Sequence, residues 1–146
     1  MLKPGIDYIG VSVSFFCHDG KEFILHKRSD KCRDEIGKWD FGGGQLEFGE
    51  NLYEAVFREV MEEYGVKGKI EKQLVPYSLI RKIDNKKSHW LIIPHIVKVD
   101  KIKVVNNDPV KISKLGWFNL NKLPKPLHTG ALYTINNYKG EFNRYF

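Results

Sequence analysis

Apolar residues are concentrated in a few short runs that are rich in β-branched and aromatic side chains. Two of these runs, YIGVSVSFF at residues 8–16 and FILHKR at residues 23–28, are separated by the polar segment HDGKE. An Asp-Gly step between two such runs is typical of a β-hairpin. The sequence therefore predicts two antiparallel strands, followed by a polar loop from Ser29 to Lys38.

Three further runs predict strands later in the chain. KQLVPYSLIRKI at residues 72–83 and HWLIIPHIVKV at residues 89–99 flank the polar turn DNKKS, and KLGWFNL occupies residues 114–120. Proline cannot donate to a sheet, so Pro76 and Pro94 predict sheet edges or bulges. We therefore expect several strands after the first hairpin, with interruptions at the two prolines.

The pattern from Leu52 to Tyr64 has a helical period. Asn51 is a suitable N-cap, Glu54 stands at the N3 position, and Gly65 falls where a left-handed C-cap is expected. A second helix is predicted over residues 126–140, ending at Gly140. With no internal repeat or linker, the elements indicate a single mixed α/β domain over residues 1–146, with more strands than helices.

Positions around the first helix can be calculated, because each residue turns about 100° from the previous one. Taking Leu52 as zero, the apolar and aromatic side chains occupy an arc from roughly 40° to 180°. They are Val56, Val60, Tyr53, Tyr64, Phe57 and Met61. Glu62, Glu59 and Glu63 fall between roughly 280° and 20°, beside this predicted core face.

Overall charge changes the picture, because this acidic helix belongs to a basic protein of net charge +6. Lys and Arg residues are spread along the chain, as on a solvated, mildly basic surface or in a protein with a phosphorylated substrate. No apolar run is long enough to span a membrane. Cys17 and Cys32 form no metal or disulfide motif, and we interpret both as reduced. A cytoplasmic protein is the expectation.

The carboxylates of the helix have two explanations. Glu54, Arg58 and Glu62 are spaced i, i+4, i+8 and are able to form a surface ladder of ion pairs without any function. Glu59 and Glu63 are like charges four residues apart, and they lie in the last turns, where the helix dipole disfavours anions. Because both effects cost stability, we hypothesise that a cation binds there. Oxygen ligands favour Mg²⁺ or Mn²⁺.

A glycine-rich stretch precedes the helix, with Gly42 to Gly44 followed by Gly49. It is either a flexible turn or a loop that allows close approach of a ligand. Loop and helix together resemble the Nudix hydrolase signature, G-x5-E-x7-R-E-U-x-E-E-x-G-U, where U is a bulky aliphatic residue. The matching positions are Gly44, Glu50, Arg58, Glu59, Val60, Glu62, Glu63, Gly65 and Val66.

The segments FILHKR, KWDFGGG and LGWFNLNKLP also resemble members of this family, although Gly42 stands where many members have Pro. The resemblance implies the Nudix fold, a mixed β-sheet sandwiched between helices in an α/β/α arrangement. The signature, residues 44–66, would form a loop, a helix and a loop at the edge of the sheet. The implied activity is hydrolysis of a nucleoside diphosphate linked to another group, assisted by Mg²⁺ or Mn²⁺.

The resemblance also assigns roles to residues. The implied metal ligands are Glu59, Glu62, Glu63 and the carbonyl of Gly44. Glu59 is the expected general base, although family members differ in which carboxylate takes this role, and Arg58 and Glu62 complete the catalytic set. Arg58 would orient a catalytic glutamate, and Glu50 would brace the loop through hydrogen bonds or a metal-bound water.

The substrate stays open within the family. Members acting on ADP-ribose tend to carry a Pro a short way beyond the signature, and those acting on dinucleoside polyphosphates a Tyr, but residues 81–84 are RKID. This favours a MutT-like nucleoside triphosphate pyrophosphohydrolase. In that branch Arg28 would contact a phosphate, unless it is a solvated strand-end residue, and Phe41 would stack on the base. Asp108 is a candidate late metal ligand; His26, His89 and His95 are interpreted as structural or surface residues.

Two alternatives remain open. The first is the same chemistry on ADP-ribose, another nucleotide sugar, a dinucleoside polyphosphate or a capped RNA end. A capped RNA end is the one nucleic-acid partner expected. The second is a non-catalytic nucleotide-sensing module, against which the intact glutamates argue. The expected partner is a small-molecule nucleotide, with no membrane, and a homodimer is compatible with the resemblance because many relatives dimerise.

Overall fold

The computed structural model describes residues 1–145. Its strands are β1 (Gly10–His18), β2 (Phe23–Arg28), β3 (Trp39–Asp40), β4 (Gly43–Gln45), β5 (Lys69–Gln73), β6 (Tyr77–Ile83), β7 (Lys86–Lys98) and β8 (Ile112–Phe118). Its helices are α1 (Leu52–Tyr64), α2 (Thr129–Asn137) and α3 (Lys139–Phe142), with 3₁₀ turns at Lys101–Lys103 and Asn143–Tyr145.

The centre of the sheet is the parallel pair β1 and β7, which runs from Gly10 opposite Trp90 to His18 opposite Lys98. Both faces of β1 are covered. Val13, Phe15 and Cys17 pack in one cluster with α1, and Phe16 packs in a second cluster with α2 and α3. This alternation explains the continuous apolar run in the sequence and confirms the α/β fold with helices on both faces. Within residues 1–145, no helix is long and apolar enough to cross a membrane.

The predicted hairpin is present, but β1 and β2 pair only at His18 and Phe23. Farther along, β4 pairs with β1 from Ser12 to Ser14, while β2 pairs with β3 and β8. On this side of β1 the sheet therefore splits into two parts, one formed by β4 and the other by β2, β3 and β8. Residues from both parts line one cavity of about 590 Å³. Because β3 and β4 have two and three residues, their apolar pattern is too short to predict them.

Pro94 lies in the central strand β7, so the expectation of an edge at this position is wrong. The backbone N–H of Leu74 donates to the Pro94 carbonyl at 2.8 Å. Pro94 lacks the backbone N–H that would point to this same side. Along β7, pairing with β6 stops at Ile92, opposite Tyr77, and pairing with β5 starts at His95, opposite Gln73. The proline is accommodated because the neighbouring strand is interrupted there.

Helix α1 has the predicted bounds. Asn51 and Glu54 form a capping box, and Gly65 adopts a φ of 69° with its N–H donating to the Met61 carbonyl. The predicted core face is confirmed for Val56, Val60 and Tyr64. It is wrong for Tyr53 and Met61, which are 47% and 44% exposed, so the centre of the buried face lies about 80° from the predicted one. The buried positions of this helix are Ala55, Val56, Val60, Glu63 and Tyr64. The helix therefore turns Glu59 and Glu63 towards the glycines of β4, whereas Glu54 and Glu62 stay exposed.

The carboxyl-terminal helix also differs from the prediction. It ends at Asn137, and Gly140 lies inside the short α3 rather than stopping a longer helix. The backbone of Tyr138 leaves the helical conformation, with φ −121° and ψ 30°. This break allows α3 to bury Phe142 in the core beneath α2.

Candidate active site

Gly44 brings the sheet and α1 together. A Cβ atom at this position would lie 2.1–2.4 Å from the carboxylate atoms of Glu59, so only glycine permits the observed packing. The Gly44 carbonyl accepts a hydrogen bond from the Ser12 hydroxyl at 2.8 Å. A carbonyl oxygen has two lone pairs, so this bond orients the group and leaves capacity for another partner.

Arg58 organises the carboxylates beside Gly44. Its guanidinium donates two hydrogen bonds to Glu50, at 2.6 and 3.1 Å, and one to Glu59 at 2.7 Å. A further hydrogen bond reaches the Gln45 carbonyl. The Arg58–Glu62 contact of the surface-ladder explanation is long, at 3.5 Å. The arginine therefore ties the loop to the helix.

The side chains of Glu59 and Glu63 are 14% and 11% exposed, whereas that of Glu62 is 55% exposed. Burial raises the pKa of Glu59, and Arg58 offsets only part of this effect. Burial, followed by the negative charges of Glu59 and Asp40, raises the pKa of Glu63 well above its ordinary value. These carboxylates therefore need a proton or a bound cation.

The polar contacts of Glu63 are weak. Its nearest partners are the Gly43 N–H at 3.4 Å and the His26 Nδ1 at 3.7 Å. Tyr64 donates its hydroxyl proton to the Phe41 carbonyl at 2.7 Å, so His26 Nδ1 must donate to the Tyr64 oxygen. Burial lowers the pKa of His26 to about 4. A neutral histidine supplies no countercharge to Glu63.

His26 is a cavity residue that the sequence did not identify. Its buried ring, hydrogen-bonded to Tyr64, agrees with the structural interpretation, and the same ring also forms part of the cavity wall. The sequence feature that indicates this position is the spacing of His26 from Arg28. Residues two apart on a strand share a face, so His26 lies on the same face as the candidate phosphate ligand. His95 is fully buried, in agreement with a structural role.

Arg28 also lines the cavity. Its Nε and Nη2 atoms donate to Asp34 at 3.0–3.1 Å, and its Nη1 atom lies 3.7 Å from Asp40. The proposed phosphate contact of Arg28 stays a prediction. Asp108 lines the same cavity, and its carboxylate accepts from the Lys111 N–H at 3.4 Å.

Phe41 does not occupy a position from which it can stack on a base. Its side chain is 1% exposed, and its ring lies 4.5 Å from that of Phe16 and 6.1 Å from that of Phe23. Phe41 is therefore a core residue, and the sequence-based expectation for its ring is wrong. The reason is that Phe41 follows the β3 strand directly and its side chain packs inward, between β1 and β2.

A second group of possible metal ligands consists of Asp34, Glu35 and His128, whose ligand atoms lie within 4.8 Å of one another. Glu35, however, already accepts hydrogen bonds from Lys38, from the N–H and hydroxyl of Thr129, and from Arg81. His128 Nε2 lies 2.8 Å from the same carboxylate. Protein donors occupy this carboxylate, so the group fits a structural network better than a metal site.

The residues around Gly44 do fit a divalent cation. The glycine forms a cradle that a Cβ would fill, the donors are carboxylate and carbonyl oxygens, and the buried carboxylate of Glu63 has only weak polar partners. Hard cations such as Mg²⁺ and Mn²⁺ prefer such oxygen donors.

Comparison with known proteins agrees with this arrangement. A model of the NUDIX domain matches residues 9–138. The MutT NUDIX hydrolase from Burkholderia pseudomallei is 25% identical, with a TM-score of 0.77 over 87% of this chain and 95% of that one. The MutT protein from Methanosarcina mazei Go1 is also 25% identical, with a TM-score of 0.74 over 92% and 95%.

A third solved structure, the NUDIX domain of Shewanella oneidensis NrtR in complex with ADP ribose, is 19% identical. Its TM-score is 0.70 over 92% of this chain and 88% of that one, a likeness of fold. The fold and the site together define a hydrolase of phosphoanhydride bonds. The chain belongs to the NUDIX family, whose enzymes generally use a divalent metal, and the resemblance found in the sequence is confirmed.

Proposed function

We propose that this enzyme hydrolyses nucleoside triphosphates to a monophosphate and pyrophosphate, with Mg²⁺ or Mn²⁺ as the required ion. The proposal rests on the buried carboxylate of Glu63 and the half-buried carboxylate of Glu59 beside the cradle of Gly44. Among residues 1–145, Lys and Arg form no ion pair with Glu63. A divalent cation would neutralise this charge and attract phosphate oxygens.

The proposed ligands of the ion are Glu59, Glu62, Glu63 and the Gly44 carbonyl, and all four residues line the cavity. When bound, the ion would screen the phosphate oxygens and lower the pKa of water. Ser12 keeps the Gly44 carbonyl oriented through its hydroxyl. This support is already in place before any ligand arrives, which reduces the cost of binding.

Glu59 is our choice for the general base. Its Oε1 atom accepts from Arg58 at 2.7 Å, which leaves Oε2 to take the proton of the attacking water. Arg58 is itself fixed by two hydrogen bonds to Glu50. Glu50 therefore supports Glu59 through the arginine. It also accepts a hydrogen bond from the Glu47 N–H at 2.9 Å, which supports the proposed role of Glu50 in bracing the loop.

Arg28 is the proposed phosphate ligand on the opposite wall. Its Nε and Nη2 atoms are engaged by Asp34, whereas Nη1 has only the 3.7 Å ion pair with Asp40. Nη1 is therefore the atom proposed to contact a phosphate oxygen, with the guanidinium plane already fixed.

A second candidate substrate is ADP-ribose or another nucleotide sugar. The observation in its favour is the ADP ribose complex of the similar NrtR domain. Dinucleoside polyphosphates and capped RNA ends are variants of this second candidate. Retention of Glu59, Glu62 and Glu63 argues against a non-catalytic nucleotide-sensing module.

The test is a substrate panel with purified protein and either Mg²⁺ or Mn²⁺, read by product identity. The panel contains common and oxidised nucleoside and deoxynucleoside triphosphates, ADP-ribose, dinucleoside polyphosphates and capped RNA. Monophosphate and pyrophosphate from a triphosphate are the expected products. Exclusive turnover of another substrate would replace the leading candidate with the second one, and no turnover at all would contradict both.

The Glu59→Gln variant should lose turnover by about 10²–10⁴-fold, because a general base is removed without a change of shape. Glu54→Gln is the matched control. It makes the same chemical change on the same helix, and glutamine keeps the capping box intact. Equal turnover of the two variants would remove Glu59 from its assigned role.

A further inference from the structure

The end of the cavity farthest from the glutamates has its own chemistry. We propose that it binds the nucleobase, and that the carboxylate of Asp34 selects bases that carry an exocyclic amino group. This inference rests on the proposed nucleotide substrate. It is carried by the strand order beneath the cavity, the apolar side chains at its far end, and the incomplete pairing of Asp34.

Strand order gives the cavity its length. β4 lies beside β1, β1 beside β7, and β7 beside β6. Three strand spacings amount to roughly 14 Å, which is comparable with a nucleotide extended from its base to its outer phosphate. A nucleotide with its phosphates at Gly43 and Gly44 would therefore place its base over β7 and β6.

The surface over β7 and β6 is largely apolar, and the Arg33 guanidinium lies over the Trp90 ring, 5.2 Å from its centroid. Tyr77 is opposite Ile92, and Leu79 is opposite Trp90, so these four side chains share one face of the sheet. All four line the cavity, and Ala131 of α2 lines it as well. This surface suits a planar aromatic ring, because burial of its apolar faces is favourable and requires no polar partner.

Asp34 is the acidic group on this part of the wall. Its Oδ1 atom accepts from Arg28 at 3.0 Å. Its Oδ2 atom has only distant ion pairs, at 3.8 Å to Arg81 and 3.9 Å to Arg33. The carboxylate is thus fixed through one oxygen, and the other oxygen can accept a hydrogen bond from a ligand. An amino group on a base is a suitable donor.

Two buried polar atoms support a polar ligand in this cavity. The hydroxyl of Ser14 and the Nε atom of Arg81 have no hydrogen-bond partner within residues 1–145, and both side chains line the cavity. Unpaired buried donors are rare because each costs free energy. A small shift of either side chain on binding would pair it with the nucleotide.

The test compares substrates that differ by one amino group. GTP and ITP differ only at the 2-position, and ATP and purine riboside triphosphate differ only at the 6-position. We expect at least one amino-bearing member to have a kcat/KM at least about tenfold higher than its partner, as for a buried hydrogen bond to a charged group. Asp34→Asn should reduce that ratio several-fold.

Asp30→Asn is the matched control, because Asp30 is exposed in the same loop and the change of charge is identical. Both substrates of a pair carry the same phosphates, so their kcat/KM ratio also cancels any effect that loss of Asp34 has on Arg28 and on phosphate binding. If Asp34→Asn lowers the melting temperature, Asp34→Ser at a temperature where it is folded gives the same comparison. An unchanged ratio, or the absence of any amino-group preference in the wild type, would overturn the proposal.

A binding experiment separates this inference from the proposed function. Calorimetry of GMP against IMP, and of AMP against purine riboside monophosphate, measures the amino-group preference without turnover. A preference that Asp34→Asn removes would support the base site even if no triphosphate is hydrolysed. Hydrolysis of triphosphates without any such preference would keep the proposed function and overturn the role of Asp34.

Discussion

Two carboxylates with little solvent exposure, Glu35 and Glu63, are treated in opposite ways by the fold. Glu35 is surrounded by Lys38, Arg81, His128 and Thr129. Although burial acts against its charge, the hydrogen bond from His128 and the other donors hold the pKa of Glu35 well below its ordinary value. The charge of Glu35 is satisfied within the protein.

Glu63 lacks such a set of donors. The Gly43 N–H at 3.4 Å and the neutral His26 are its nearest partners, and its pKa is raised by burial. Burial of a carboxylate therefore does not by itself indicate function. A complete set of internal donors indicates a structural ion network, and an incomplete set indicates a place for a proton or an external cation.

The largest effect expected on stability is at the satisfied carboxylate. Glu35→Gln should lower the free energy of unfolding by about 3 kcal/mol, because it leaves Arg81 and Lys38 without their partner. Denaturant unfolding in the presence of a chelator measures this value, with Asp30→Asn as the exposed control. A loss no larger than that of the control would show that the network around Glu35 contributes little.

The same carboxylate should give a distinct pH dependence. Because the folded pKa of Glu35 is lowered, its contribution is complete above its unfolded pKa of about 4.5 and is lost as the pH falls towards the folded value. The stability difference between wild type and Glu35→Gln should therefore shrink as the pH falls below about 4.5. A difference that grows over this acid range would contradict the assigned pairing.

The sequence predicted one end of the active-site region far better than the other. The capping box, the helix bounds and the spacing of Glu59 and Glu63 along the helix follow from local patterns, since they depend on residues within a few turns. Asp34, Arg81 and His128 come from a loop, a strand and a helix start, so only the tertiary fold brings them together. The rotation of α1 escaped prediction for the same reason. It depends on the small β4 glycines rather than on the helix itself.

The smallest effect expected is at the incompletely paired carboxylate, and its sign is opposite. Glu63→Gln should raise the stability of the metal-free protein at neutral pH by about 1 kcal/mol, because the raised folded pKa makes ionisation costly above the unfolded pKa. Mg²⁺ or Mn²⁺ should then stabilise the wild type more than the variant, since the variant lacks a ligand. The measurement is the midpoint of thermal unfolding with chelator and with each ion. Destabilisation of the metal-free variant would mean that Glu63, like Glu35, is a structural partner, and the distinction between the two carboxylates would fail.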